Sequence, residues 1–316
     1  MKIGKYIPQS VKRTILRIIR IPERIRFRMY VAAGQGKIPF PDKAFQKWDY
    51  KMHTGRRLNL RHPVTFQDKL QWLKLYNRRP EYTQMVDKYG ARSFVAERIG
   101  EEYLVPLYGV FDAWDEIDFS ALPDQFVIKC THDSGSYVIC TDKSELDLEA
   151  ARTKIETGLA RKQFYLSREW PYKNVKPRII IEKYLEDQQT HDLTDYKFFC
   201  FDGKVRILES NSERRSETGT KTDFYSPEFQ YIQMREAGYP NSNHIQTKPE
   251  RYEEMLHLAE QLSAGVPFLR VDFNYANGQI YFGELTFFHC GGRMLLEPDE
   301  YNYVLGDWIT LPPKMR

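Results

Sequence analysis

Beyond the N-terminal 60 residues, apolar residues recur at helical spacing in three parts of the chain, and Thr65 stands where its side chain would cap the first of these helices. The predicted helical parts are residues 66–98, which hold two helices, residues 146–159 and residues 249–263. Short apolar runs predict strands at residues 104–110, 126–130, 137–140 and 178–182. Two stretches show neither helical nor strand-like spacing of apolar residues. Residues 31–65 are predicted to be an extended connection, and residues 209–248 an irregular segment.

Turn dipeptides predict two β-hairpins, one around Asp202-Gly203 and one around Asn277-Gly278. The second hairpin admits two registers. A two-residue loop would place Asp272 and Glu284 on opposite faces, because a one-residue slip reverses every side chain. A three-residue loop places Asp272 opposite Glu284, and Arg270 opposite Thr286. We prefer the second register because it separates polar from apolar residues better.

The preferred register sets two carboxylates side by side, where they would repel each other. A divalent cation between Asp272 and Glu284 is the simplest resolution, and carboxylate oxygens suit Mg²⁺ that bridges substrate phosphates. The alternative is a surface hairpin in which Arg270 pairs with one of the two acids.

The bulk composition is that of an ordinary soluble protein. The chain has 316 residues, enough for one large or two medium domains, and 41% of them are hydrophobic. No apolar run reaches the ~18 residues of a membrane span, and no signal peptide is recognisable. The four cysteines lack metal-type spacing, so buried, reduced thiols are expected. These features favour a cytoplasmic protein.

The charge is distributed unevenly. Residues 1–30 carry nine basic residues and one acid, so their net charge is +8, whereas residues 31–316 sum to −4. The basic residues surround an apolar helix side that consists of Val11, Ile15, Ile18 and Ile19. This pattern predicts peripheral contact of residues 1–28 with the inner face of an anionic membrane, the alternative being a helix packed on the protein body. No nucleic acid partner is expected, because no recognition motif occurs.

Three further segments carry residue types suited to a nucleotide. Lys129 ends an apolar strand, and the small-residue loop that follows can lay backbone N–H groups over phosphates. The alternative is a hairpin with a solvated lysine. Backbone groups of residues 182–185, directly after a buried strand, can bond to an adenine edge. Lys197 lies among phenylalanines and needs a charged partner if it is buried.

Six motifs occur in the order seen in ATP-grasp enzymes, which the chain therefore resembles. They are Asp87-Lys88, residues 126–129, residues 181–185, Asp195-Tyr196-Lys197, Arg270-Val271-Asp272 and residues 283–286. Within that superfamily the chain is similar to the TupA-like group, which is associated with teichuronopeptide and other cell-surface polysaccharide biosynthesis. The features that carry this likeness are residues 66–74, 99–104, 195–199 and 281–287. The resemblance runs from about residue 60 to about residue 312.

The resemblance implies an α+β fold of the ATP-grasp type, in which two α+β subdomains clasp the nucleotide. Residues 1–60 would then be a basic, helical N-terminal extension and linker, and residues 61–316 the grasp domain. Its subdomains would span about residues 85–180 and about residues 181–316.

The resemblance also implies the site residues. Those for ATP are Lys129, Ser134, Gly135 and Ser136 at the phosphates, Glu182, Lys183, Tyr184 and Leu185 at the adenine, and Asp195 or Asp187 at the ribose. Those for Mg²⁺ are Asp272, Glu284 and Thr286, the last of which stands where the family usually has Asn. Arg270 would stabilise charge on the transferring phosphoryl, and Lys197 would reach a phosphate or the acyl substrate.

The function implied is that of an ATP-dependent ligase that joins a carboxylate to an amine through an acyl phosphate. The carboxylate would belong to an acidic sugar or an amino-acid-type substrate, in a precursor of a surface polysaccharide or peptide polymer. A glycosyltransferase is the alternative from another class, although no two aspartates are spaced Asp-x-Asp. A kinase of a sugar hydroxyl and a non-catalytic scaffold are also open.

Overall fold

Two antiparallel sheets form the framework of the computed structural model, which describes residues 23–188, 193–212, 220–242 and 245–315. The α-helices are α1 Glu23–Gly34, α2 Asp42–Thr54, α3 Phe66–Tyr76, α4 Tyr82–Val86, α5 Gly90–Ile99, α6 Leu148–Leu159, α7 Gln163–Ser167, α8 Tyr252–Ser263 and α9 Glu300–Asp307. The strands are β1 Leu107–Phe111, β2 Phe126–Cys130, β3 Tyr137–Cys140, β4 Ile179–Lys183, β5 Thr194–Phe201, β6 Lys204–Ser212, β7 Lys221–Tyr225, β8 Tyr231–Ile232, β9 Arg235–Glu236, β10 Phe268–Ala276, β11 Gln279–Thr286 and β12 Leu296–Glu297. In these ranges no helix is long and apolar enough to cross a membrane.

The smaller sheet has the strand order β1-β4-β2-β3. Alternate residues of β2, Phe126 and Ile128, are buried against α6, where Ile155 is also fully buried. Lys129 lies one step out of phase with them and therefore points to the opposite face. The strands at 126–130 and 137–140 match the sequence prediction.

The larger sheet has the strand order β11-β10-β5-β6-β7-β8. One face of β5 is apolar in its C-terminal half and charged in its N-terminal half. Phe201 and Phe199 lie beneath α3, where the ring of Phe66 packs 6.1 and 6.4 Å from theirs. Lys197 and Asp195 continue the same face beyond the edge of α3, since side chains two apart share a face. The apolar half of the strand thus anchors the polar half in position.

Hydrogen bonding places the division between the two sheets later than the sequence predicted. Strand β4 crosses the predicted boundary at residue 181, yet all of it pairs with β1 and β2 in the smaller sheet. The larger sheet begins at Thr194. The division therefore belongs between Lys183 and Thr194, because a strand cannot be separated from the ladder that satisfies its backbone groups.

The prediction of an extended connection at residues 31–65 was wrong, since α1 ends and α2 lies within that stretch. Tyr30 of α1 donates a hydrogen bond of 2.7 Å to Asp49 of α2, and Arg293 binds the same carboxylate at 3.0 Å. These contacts dock the two helices on the grasp region. Most of the predicted membrane-binding helix, residues 1–22, lies outside the described residues.

Other sequence predictions were confirmed in part. The side chain of Thr65 caps α3 by accepting from the backbone N–H of Asp68 at 3.2 Å. The second helix predicted within residues 66–98 is two shorter helices, α4 and α5, and residues 209–248 contain the end of β6 together with β7, β8 and β9. Three of the cysteines are buried free thiols, whereas Cys290 is exposed.

Candidate functional site

A cleft of about 340 Å³ lies between the two sheets and collects most of the predicted site residues. The predicted residues that line it are Lys129, Ser134, Gly135, Ser136, Glu182, Asp195, Lys197, Arg270, Asp272 and Glu284. The lining residues to which the sequence analysis gave no role are Lys88, Arg92, Leu104, Val105, Tyr137, Asn274, Phe282 and Gly283. The cleft wall is thus rich in charged groups from both sheets.

The β10–β11 hairpin has the predicted pairing at the site but a different loop. Asp272 lies opposite Glu284, and Arg270 opposite Thr286. The loop has only two residues, Asn277 and Gly278, both with positive φ. The pairing survives because β11 contains a bulge between Glu284 and Phe282, which restores the register that a two-residue loop would otherwise shift by one.

The extra residue in the bulge is Gly283. A Cβ atom there would lie 3.1 Å from the backbone oxygen of Asp272, so the close approach of the two strands favours glycine. The bulge and the tight turn together place both carboxylates on the cleft face. The three-residue loop was therefore wrong, although the facing residues it predicted were right.

Arg270 is buried and connects the two carboxylates. Its Nε and Nη2 atoms donate to Asp272 at 2.7 and 2.6 Å, and Nη2 also donates to Glu284 at 2.7 Å. The ion pairs expected in the alternative interpretation are therefore present, but they lie inside the cleft rather than on a surface hairpin. Because both acids bind the same nitrogen, their carboxylates lie side by side in the cleft.

The chemistry of this donor set fits Mg²⁺. Asp272 and Glu284 supply hard carboxylate oxygens, and the Thr286 hydroxyl donates to Glu284 at 3.0 Å. Burial raises the pKa of Asp272 to about 7, against the opposing effect of Arg270. A divalent cation would favour the ionised form of such a carboxyl. Thr286 is placed to orient Glu284, since it lies beside the cleft rather than in its lining.

Lys197 has a buried partner that the sequence analysis missed. Its Nζ lies 2.9 Å from Glu209 on the adjacent strand β6 and 3.8 Å from Asp195. Burial disfavours the ionised form of Glu209, but Lys197 and Arg270 outweigh this effect and lower the pKa to about 2. Glu209 is thus a fixed negative charge behind the lysine.

Glu182 is held by two basic residues from different elements. Its carboxylate accepts from Lys129 at 2.8 Å and from Arg92 of α5 at 3.0 Å. The side chains of Lys183 and Tyr184 do not line the cleft but a neighbouring hollow of about 530 Å³, and Leu185 lines neither. The predicted adenine-binding segment therefore faces the cleft through the carboxylate of Glu182.

The loop at residues 131–136 is fixed from two sides. Arg161 donates to Asp133 at 3.1 Å and to the backbone oxygen of Ser134 at 3.0 Å, and Ser136 donates to Asp133. From the cleft side, Lys88 donates to the backbone oxygen of Asp133. Burial lowers the pKa of Lys88, although Glu284 opposes the shift. Lys88 belongs to the Asp-Lys pair that the sequence analysis quoted without a role.

The two sheets, the loop between β2 and β3 and the charged hairpin define the ATP-grasp class. Residues 68–310 match the family model described as TupA-like ATPgrasp. The match covers more than half of the chain, so the chain belongs to the TupA-like ATP-grasp family. No curated protein sequence matches it significantly.

The chain is also similar to solved structures of two ligases and a synthetase. The D-alanine–D-alanine ligase from Bacillus anthracis complexed with ATP is 16% identical, with a TM-score of 0.37 over 69% of this chain and 55% of that one. The ligase PsnB, complexed with a variant of its minimal precursor, Mg and ADP, is 12% identical, with a TM-score of 0.42 over 76% and 63%. The D-cycloserine synthetase DcsG is 17% identical, with a TM-score of 0.38 over 66% and 64%. The chain thus spans less than two thirds of the length of each.

Proposed function

We propose that this protein is an ATP-dependent carboxylate–amine ligase that binds Mg²⁺ and ATP in the cleft between the two sheets. The observation that carries the proposal is the convergence of Arg270, Asp272 and Glu284 from one hairpin on a cleft lined by further basic residues, among them Lys129 of the facing sheet. Family membership supports the nucleotide and the fold.

The charge of the cleft suits a metal–nucleotide complex. Five basic and four acidic side chains line it. This small positive excess does not balance a triphosphate, so Mg²⁺ would supply the remaining positive charge when it is bound. Asp272 and Glu284 would hold the ion, while Lys88, Lys129 and Lys197 remain available to phosphate oxygens.

Three apolar side chains line the cleft among its charged groups. They are Leu104, Val105 and Phe282, and such apolar groups suit a flat ring. We assign these side chains, with Glu182 and the backbone of residues 183–185, to the adenine. Asp195 is assigned to the ribose, and the loop of Ser134, Gly135 and Ser136 to the phosphates.

The reaction would proceed in two displacements. A substrate carboxylate oxygen forms a bond to the γ-phosphorus while the bond from that phosphorus to ADP breaks. An amine nitrogen then bonds to the acyl carbon, phosphate leaves, and the amine loses a proton. Arg270 would stabilise the charge on the transferring phosphoryl group, and Lys197, fixed by Glu209, would orient the planar carboxylate.

The substrates proposed follow from the resemblance and the basic groups in the cleft. The acyl donor would be an acidic sugar or an amino-acid-type carboxylate of a surface polymer precursor, and the acceptor an amine. We also propose that the protein acts in the cytoplasm, with residues 1–28 in peripheral contact with the inner face of the membrane.

ADP release tests the proposal when it is measured with a panel of uronic acids and amino acids, each with and without an amine. A carboxylate-dependent signal and an amide product are expected. Glu284→Ala should abolish the signal while the fold survives, because it removes a metal ligand from the cleft face. Glu253→Ala, which removes an exposed carboxylate paired with Lys248 outside the cleft, is the matched control.

Other outcomes would contradict the proposal. Unaltered ADP release by Glu284→Ala would rule out the metal assignment. A phosphorylated hydroxyl in the product would indicate a kinase, and transfer from a UDP-sugar would indicate a glycosyltransferase.

A further inference from the structure

We propose that His289 is a positioning residue that directs Arg270 towards the reacting phosphoryl group. Helix α3 supports this role because it holds the turn that carries His289. The inference rests on the proposed function, since it concerns how Arg270 is aimed. Neither His289 nor the polar residues of α3 line the cleft.

His289 lies between an arginine and a carboxylate. Its Nδ1 is 2.9 Å from Nη1 of Arg270, and its Nε2 contacts the carboxylate of Glu236. All three side chains are buried. Burial opposes the imidazolium form of His289, but Cys290 and Glu236 outweigh it and raise the pKa of the ring. A second proton on Nδ1 would nevertheless point at an N–H of Arg270 only 2.9 Å away, and arginine can only donate hydrogen bonds. The geometry therefore assigns the neutral ring, in which Nδ1 accepts from Arg270 and the N–H of Nε2 donates to Glu236. Glu236 therefore sets the tautomer that Arg270 requires.

The same tautomer argues against a metal at this position. Glu236, His289 and Cys290 offer atoms that lie within 4.8 Å of one another, as a metal-ligand set would. A metal would need the lone pair of Nε2, and Nδ1 would then carry the proton, directly against an N–H of Arg270. The hydrogen-bond geometry therefore favours a relay, the hydrogen-bonded chain from Glu236 through His289 to Arg270, over a metal centre.

The bond from His289 decides how Arg270 presents its last donor. The guanidinium has five N–H groups. Nε and Nη2 are directed to the carboxylates of Asp272 and Glu284, and one N–H of Nη1 goes to His289. In the described part of the chain, the second N–H of Nη1 is the donor that remains for a phosphoryl oxygen. Loss of the acceptor on His289 would release Nη1 from this orientation.

The turn that carries His289 needs outside support. Cys290, Gly291 and Gly292 have φ values of 47°, 64° and 68°, so three consecutive residues adopt left-handed conformations. Gln71 of α3 donates to the backbone oxygens of Gly291 and Gly292 at 2.9 and 3.0 Å. Such donors satisfy carbonyl groups that no regular ladder reaches.

Lys74 supports the same turn. Its Nζ is buried and donates to the backbone oxygens of Gly291 at 2.7 Å and of Ser167 at 2.9 Å. Burial lowers the pKa of Lys74 to about 8. Gln71 and Lys74 both belong to the motif at residues 66–74 that carries part of the family likeness, and the relay gives this motif a role in the reaction.

Two substitutions at one position separate the two bonds of His289. The amide oxygen of His289→Asn lies where Nδ1 lies and keeps an acceptor for Arg270, whereas the amide nitrogen of His289→Gln lies where Nε2 lies and keeps only the donor to Glu236. Affinities for ADP and for the analogue AMPPNP, both with Mg²⁺, isolate the contribution of the γ-phosphoryl group.

His289→Gln is expected to lose about tenfold in AMPPNP affinity, the effect of one charged hydrogen bond, with its ADP affinity close to that of the wild type. His289→Asn should recover most of that loss. Equal losses in both variants, or an equal loss of ADP affinity, would overturn the proposal. Failure of the wild type to bind either nucleotide would refute the proposed function instead.

A spectroscopic measurement determines the protonation of the two His289 nitrogens without any ligand. ¹⁵N NMR of the wild-type protein should show His289 with Nδ1 unprotonated and Nε2 protonated, and the Gln71→Leu variant should broaden or shift this signal. A proton on Nδ1 of the wild type would overturn the relay, whatever the protein catalyses.

Discussion

Replacement of Gly158 by alanine should weaken nucleotide binding although Gly158 does not line the cleft. A Cβ atom at this position of α6 would lie 2.5 Å from Cβ and Oγ of Ser136 and 2.8 Å from Sγ of Cys130. Ser136 cannot yield easily, because it is buried and its hydroxyl is bound to Asp133. The added methyl group must therefore push the loop at residues 131–136 towards the cleft.

The expected magnitude follows from two opposing effects. Overpacking of a filled interior costs about 1–3 kcal/mol. Alanine gains about 1 kcal/mol over glycine in a helix. The net loss of stability is therefore expected to be about 0–2 kcal/mol. If about 1 kcal/mol of the strain must be overcome when the loop closes on phosphates, the affinity for ADP falls about fivefold.

Thermal unfolding and titration with ADP measure both effects. Thr157→Ala is the matched control, since Thr157 is exposed on the same helix and alanine improves helix propensity there without a clash. We expect Thr157→Ala to be as stable as the wild type or more stable, with unchanged ADP affinity. A Gly158→Ala variant that is stabilised to the same degree and binds ADP normally would refute the contact between α6 and the loop.

Two other predictions concern pH and the N-terminus. Mg²⁺-dependent nucleotide binding should weaken as the pH falls through about 7, because burial raises the pKa of Asp272 to about 7 and a protonated carboxyl is a poor ligand; titrations that do not vary with pH would contradict this. Without ligand, the free energy of unfolding depends on pH in the opposite direction. Because the folded protein holds the Asp272 proton more tightly than the unfolded chain does, the stabilisation linked to Asp272 is lost as the pH rises through about 7. Deletion of residues 1–22 should abolish binding to anionic vesicles and preserve ADP affinity, because α1 stays docked through Tyr30; unchanged vesicle binding would refute the membrane proposal.

Local patterns in the sequence predicted much of the framework of the site. The apolar run at residues 126–130 predicted the strand that carries Lys129, and the structure has β2 over the same residues. The Asp272–Glu284 pairing was predicted from the separation of polar and apolar faces. Burial of one face is a strong constraint on register, which is why this part of the prediction held.

Bulges and distant partners could not be read from the sequence. The hairpin combines a two-residue loop with a bulge at Gly283 that shifts the register by one residue. No local sequence pattern distinguishes this arrangement from a three-residue loop without a bulge. A second bulge, between Phe199 and Cys200, brings Glu209 opposite Lys197. Arg92 reaches Glu182 across 90 positions of sequence. Such contacts depend on how the elements pack rather than on local propensity.

The most direct test of the central claim is isothermal titration of the wild-type protein with AMPPNP, with and without Mg²⁺, beside a titration with UDP-sugars. We predict binding of AMPPNP that is strengthened by Mg²⁺, and no binding of UDP-sugars. Binding of UDP-sugars without binding of AMPPNP would contradict the assignment of the cleft to Mg²⁺ and ATP.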